Sequence, residues 1–298
     1  MRQHMKDYIE FGKSGAARSV RLLAEYMRAM EAIERLKDHP MVTVFGSARL
    51  DEESPGWQLA EEFGKRSVEA GYGVITGGAS GVMMAANRGA YEEARKRGLA
   101  VEDYSIGCAI TLPFEESKNV YLGTQLDFHY FFIRKFFLCA YSRGYFYFDG
   151  GGGTRDEFWE IFCLIQTGKM EIVPIVAVGD EAVWKSVKAD LQHMAERGTI
   201  SPPDCNIPVY VETADEAVAE LQRFYRRLRQ VFYDKINQRI ELQLRESLGK
   251  DEVKALQKRF ADVAEFEWDA GKNALHTTQF NFRSYSDLYD IVDAINEG

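Results

Sequence analysis

Short apolar runs that end near a glycine and give way to helical stretches recur along this chain, and that repetition leaves few folds open. Val42-Thr43-Val44-Phe45 ends at Gly46 and leads to a helical stretch from about Trp57 to Glu69. Tyr72-Gly73-Val74-Ile75-Thr76 ends at Gly77 and leads to Val82–Arg97, and Ser105–Ile110 forms a third run. Tyr130–Ser142 reads as a helix, Tyr145–Phe148 as a strand and Thr154–Gln166 as a helix. A strand at Val173–Val178, a helix from about Glu181 to Glu196 and a strand at Pro208–Val211 complete the series. Strands alternating with helices of this length predict an α/β protein with a doubly wound, Rossmann-like parallel sheet. In such a sheet ligands lie beyond the carboxyl ends of the strands, near a topological switch point, and every glycine-rich loop here falls at a strand's carboxyl end.

The flanks read differently. Val20, Leu22, Leu23, Tyr26, Met27, Met30, Ile33 and Leu36 form an apolar stripe at helical spacing that His39-Pro40 ends. From Ala214 to about Phe266 the sequence is charge-rich with repeated Leu, Ile, Val and Phe, and a further helical run lies near Tyr285–Ile295. The expected organisation is therefore an N-terminal helical segment over 1–40, a Rossmann-like α/β core over 41–213 and a C-terminal helical extension over 214–298. The cluster Arg223, Arg226, Arg227 and Arg229 reads as a solvated helix face.

A formal net charge of -9 argues against nucleic acid or an anionic membrane as partner, because both select a basic surface. Cys108, Cys139, Cys163 and Cys205 are widely separated with no CxxC or Cys/His cluster, which argues against a disulfide framework or a zinc site; the first three sit in apolar runs and are expected in the core. Met1–Asp7 lacks an apolar signal core, and the most hydrophobic segment, Tyr130–Tyr141, is interrupted by Arg134-Lys135 and too short to span a bilayer. A soluble, cytoplasmic protein is expected.

The chemistry concentrates in Asp149-Gly150-Gly151-Gly152-Gly153-Thr154-Arg155-Asp156-Glu157, a strand–glycine loop–helix junction. Glycines let a ligand approach the backbone with no Cβ in the way, and the helix that follows directs unpaired N–H groups and its positive dipole end at the loop. A carboxylate one turn in, Glu157, faces the same space, although Thr154 and Glu157 also have the spacing of a capping box. A second loop, Thr76-Gly77-Gly78-Ala79-Ser80-Gly81-Val82-Met83, has the same context. Neither loop carries the Gly-Lys-Ser/Thr of a P-loop, so triphosphate hydrolysis is unsupported. Arg134, taken alone, fits a snorkelling or salt-bridged surface residue.

Taken jointly, these segments resemble the LOG family, nucleoside 5′-monophosphate phosphoribohydrolases often labelled lysine decarboxylases. Gly150–Glu157 is similar to the family's PGGxGTxxE motif. The likeness extends through Val44–Arg49, Thr76–Met83 with Ala85–Ala90, Leu112–Glu115, Tyr130–Lys135 and Leu164–Lys169, roughly residues 41–212 in all. The resemblance implies that Arg134 and Glu157 are catalytic. It also implies that Gly46, Ser47, Gly77, Gly78, Gly81, Met83, Lys135, Gly150, Gly151, Gly152, Gly153 and Thr154 bind phosphate and substrate. The implied reaction is hydrolysis of the N-glycosidic bond of an AMP-like nucleotide, a class that includes cytokinin nucleotides, in homodimers or larger homo-oligomers. No cofactor or metal is implied, and nothing identifies a pyridoxal-binding lysine. Two positions depart from the pattern: Asp149 stands where the family has Pro, and Met84 where many members have Glu. The alternatives are a non-catalytic nucleotide or molybdenum-cofactor carrier or sensor of the same fold, and an interaction module switched by nucleotide.

Overall fold

The computed structural model describes residues 14–36, 39–110, 119–234, 236–237, 239–278, 280 and 285–297. The Leu112–Glu115 segment of the family likeness lies outside them. Seven parallel strands run in the order β4-β3-β2-β1-β5-β6-β7: β1 (Met41–Phe45), β2 (Gly73–Thr76), β3 (Ser105–Ile110), β4 (Thr124–Phe128), β5 (Ser142–Tyr147), β6 (Ile175–Val178) and β7 (Pro208–Val211). The chain walks outward from β1 to β4, then returns and walks the other way, which is the doubly wound arrangement expected. Strands β1, β2 and β6 are buried along their whole length, as strands covered by helices on both faces must be.

Contacts divide the chain into two compact units, Met1–Val44 with Ala48–Ser142, and Phe45–Ser47 with Arg143–Gly298. The first unit holds helices α1 (Gly15–Glu34), α2 (Pro55–Glu69), α3 (Val82–Lys96), α4 (Val101–Tyr104) and α5 (Phe131–Cys139). Its strands are in parallel register, Val42 opposite Val74, Ile75 opposite Ile106 and Cys108 opposite Leu126. Strand β4 escaped the sequence reading. It is a sheet edge in which only Leu126 and Phe128 are buried, so its apolar signal is two residues long.

The second unit holds α6 (Gly152–Gln166), α7 (Glu181–Glu196), a 3-10 turn at Pro202–Asn206, α8 (Ala214–Phe224), α9 (Lys250–Arg259) and α10 (Asp287–Glu297). The extension after residue 213 is not the helical appendage expected. It contains a four-stranded antiparallel sheet, in the order β10-β11-β9-β8, from β8 (Leu228–Asp234), β9 (Arg239–Leu244), β10 (Glu265–Asp269) and β11 (Ala274–Thr278). The reason is visible in Arg239–Leu244, where Ile240, Leu242 and Leu244 are buried and the residues between them are not. That is a period of two, which a count of apolar residues takes for helix. The arginine cluster changes accordingly. Helix α8 ends at Phe224, and Arg227 is buried, with Nη1 donating to Glu252 Oε1 at 2.8 Å and to Ile295 O at 2.9 Å. Cys108 and Cys139 are buried as expected, but Cys163 is exposed because it lies on the outer side of α6. Among the described residues no helix is long and apolar enough to cross a membrane.

Candidate functional site

In the first unit the β2–α3 loop is built on a buried polar network. Thr76 Oγ1 accepts from Gly78 N at 2.9 Å and donates to Asn87 Oδ1 at 2.6 Å. Asn87 Nδ2 donates to Ser105 Oγ at 2.9 Å, and Asn119 Nδ2 donates to Asn87 Oδ1 at 3.0 Å. Asn87 is fully buried on α3, so each of these bonds satisfies a group that would otherwise be costly in the interior. Ser80 Oγ donates to Ala48 O at 2.8 Å. Gly78 and Gly81 adopt φ of 70° and 66°, left-handed values that an L side chain rarely takes, and Gly81 starts α3 with no side-chain cap.

Arg134 joins this loop. Its Nε donates to Cys108 O at 2.7 Å and its Nη2 to Gly77 O at 3.1 Å, which ties the guanidinium to the carboxyl ends of β2 and β3. A Cβ on Gly77 would run into Arg134 Nη2 and would lie 2.8 Å from Met83 Sδ. Gly77, Met83 and Arg134 therefore meet at one point, and the surface-residue reading of Arg134 does not hold. Lys135 follows on α5, half-buried. Burial pushes the Cys108 thiol up to about 12 against the opposing pull of Arg134, so it is not a nucleophile.

In the second unit the glycine run forms a different surface. Ser47 N donates to Asp149 O at 2.9 Å and Phe148 N to Phe45 O at 2.9 Å, which clamps the run against the residues flanking Gly46. Gly150 is packed: a Cβ there would run into Thr154 Oγ1 and lie 3.0 Å from Ser47 N. Gly151, Gly152 and Gly153 are open, with no atom within 4 Å of where a Cβ would stand. Helix α6 starts at Gly152 with Gly151 as its N-cap and no side-chain cap. The helix thus starts beside open glycines and without a side-chain cap, a kind of helix N-terminus that suits an anion.

This start removes the capping-box reading of Thr154 and Glu157. Thr154 sits inside the first turn, at 6% exposure, and Glu157 one turn further at 9%. The backbone of Glu157 is held by Tyr147 Oη, which donates to Glu157 O at 3.2 Å. Asp149 is exposed; its charge favours the protonated Arg155 guanidinium, while burial, the larger influence, holds Arg155 below the ordinary arginine range.

The structure thus gathers Gly77, Gly78, Gly81, Met83 and Arg134 in one unit, and Ser47, Gly150, Gly151, Gly152, Gly153, Thr154 and Glu157 in the other. Sequence reasoning gave no role to Asn87, Asn119 or Thr76. The available signal was Asn87 within the small apolar run Ala85-Ala86-Asn87 of a helix.

Two family models match stretches between residues 39 and 221. Residues 83–221 match a family described as possible lysine decarboxylase, and residues 39–102 match the SLOG cluster4 family. No curated protein matches. Among solved structures, the molybdenum cofactor binding protein of the phototrophic bacterium Rippkaea orientalis is 19% identical with a TM-score of 0.44, over 62% of this chain and 96% of that one. A Moco carrier protein from Chlamydomonas reinhardtii is 20% identical with a TM-score of 0.43, over 62% of this chain and 96% of that one.

Proposed function

From a chain whose core is LOG-like across two family matches, we propose a nucleoside 5′-monophosphate phosphoribohydrolase. The observation that carries this reading is the start of α6: uncapped amides at Gly152–Gly153, open to an approaching phosphate, with the buried Glu157 carboxyl one turn inside the same helix. The phosphate of an AMP-like nucleotide binds the helix N-terminus, and its binding energy orients the ribose. Breaking the C1′–N bond builds positive charge on the ribose ring and negative charge on the base. Glu157 stabilises that cation and takes a proton from the attacking water, whose oxygen bonds C1′. The departing base takes up a proton, and the products are free base and ribose 5-phosphate. The resemblance gives Arg134, whose fork is fixed by two carbonyls, the second catalytic role, that of a fixed cation.

The same reading includes a homodimer. Val20, Leu23 and Met27 on α1 and Phe131, Phe132 and Phe136 on α5 are large exposed apolar side chains, the kind of surface a second copy covers. A monomer by light scattering at working concentration would count against that assembly. The reaction itself is tested by incubating the purified chain with a panel of purine and pyrimidine monophosphates while free base and ribose 5-phosphate are measured. Release from at least one is expected. Tight binding of a nucleotide with no base released from any would overturn the hydrolase in favour of a carrier or sensor.

A further inference from the structure

We propose that Glu25, on the N-terminal helix and outside both family matches, is the positioning residue for Arg134; this rests on the hydrolase reading. Glu25 is a carboxylate at 6% exposure, and a charge so placed is costly unless hydrogen-bonded. Its two oxygens accept from consecutive backbone amides, Oε2 from His129 N at 3.0 Å and Oε1 from Tyr130 N at 3.2 Å. Those amides lead directly into α5, whose own N-cap residue, Tyr130, offers no side-chain cap. Glu25 therefore caps α5 from a distant part of the chain, and its charge meets the positive end of the helix dipole.

The connection to Arg134 is one residue long. Tyr130 N is held by Glu25, and Tyr130 O accepts the backbone N–H of Arg134 at 3.2 Å, the first hydrogen bond of α5. From there the Arg134 side chain reaches Cys108 O and Gly77 O. A helix of nine residues does not hold its place by propensity alone. At the far end Thr43 Oγ1 donates to Leu138 O at 3.0 Å, and along the side Tyr26 packs on Phe136 and Phe137 with ring centroids 5.6 and 5.5 Å apart. These contacts keep α5 attached without setting its first turn. Among the described residues Glu25 is the side chain that accepts from the two amides preceding the helix, so α1 sets the placement of the guanidinium against the β2–α3 loop.

The test is a double-mutant cycle in the full chain, comparing wild type, Glu25→Ala, Arg134→Ala and the double variant, with Glu25→Gln as the isosteric member. Base release and AMP affinity are both measured, and circular dichroism confirms folding. With Arg134 present, Glu25→Ala is expected to lower kcat by about tenfold or more, as loss of a charged hydrogen-bonding partner implies. In the Arg134→Ala background the same change is expected to cost less than about twofold. Glu25→Gln, which keeps one acceptor oxygen, falls between. An equal loss in both backgrounds, or none in either, overturns the proposal, since a purely stabilising role would not depend on Arg134. If wild type binds AMP but releases no base, the hydrolase reading fails alone, and the cycle is read in AMP affinity by the same criterion. Absence of both turnover and AMP binding overturns both.

Discussion

Replacing Gly153 by alanine separates stability from ligand binding at the start of α6. Gly153 is the second residue of the helix, its φ lies outside the left-handed region, and a Cβ there would meet no atom within 4 Å. The folded state thus accepts the methyl without strain, while the unfolded chain loses conformational freedom, a gain of roughly 0.4–1 kcal/mol. For a chain of 298 residues the entropy of unfolding is on the order of 0.6 kcal/mol/K, so the melting temperature rises by about 1–2 °C. Binding is expected to move the other way. On the proposed reading, a phosphate reaches the helix amides through the space the methyl enters. Losing one charge-assisted hydrogen bond costs about 1.5–3 kcal/mol, and that lowers AMP affinity by roughly ten- to a hundredfold. Scanning calorimetry measures the first effect and titration calorimetry with AMP the second. The neighbouring Gly150→Ala is the control. Its methyl runs into Thr154 Oγ1, so it should destabilise the protein by about 1–3 kcal/mol, the usual cost of overpacking. A Gly153→Ala protein that is stabilised yet binds AMP within twofold of wild type would refute phosphate binding at this helix.

Glu157→Gln should fold and melt like wild type, since Glu157 is not part of an N-cap, yet release base at least about a hundredfold more slowly, the lower range for general acid–base groups; wild-type turnover would end its assigned role. Gly168→Ala should destabilise the chain by about 2–4 kcal/mol, because Gly168 has φ 62° and a Cβ would run into the Tyr285 ring, combining backbone strain with overpacking; an unchanged denaturation midpoint would show that the extension does not pack there. Cys163 should react with a thiol reagent in the native protein at pH 8 while Cys108 stays silent until unfolding, as its exposure and burial require. The folded Cys108 pKa is raised from 9.0 to about 12, so its contribution to stability is complete below pH 9 and is lost as pH rises toward 12, which denaturant midpoints across that range would follow.

The parallel core was legible because its signals are local. Ser105–Ile110 and Glu181–Glu196 have the bounds their periodicity implies, and each glycine loop sits where an apolar run stops. The glycine junction at Gly150–Glu157 was legible for the same reason, as it lies within one strand–loop–helix unit. Whether Thr154 capped α6 was not. The helix begins two residues earlier, at Gly152, because glycine tolerates the turn into a helix as readily as threonine does, and spacing alone cannot rank the two. Strand β4 and the sheet of the extension were hidden because strands such as β4 and β9 bury only alternate residues, and which residues pair depends on partners far along the chain. The same holds for Arg134 and Glu25. The sequence by itself determined the strands, loops and helices of the core apart from β4, and which residue types stand at the loops. Only the tertiary structure decided that Arg134 turns inward to Gly77 and Cys108, and that a carboxylate 105 residues before Tyr130 caps the helix that carries it. Periodicity is written in neighbours along the chain, whereas the partner of a buried charge is chosen by packing in space.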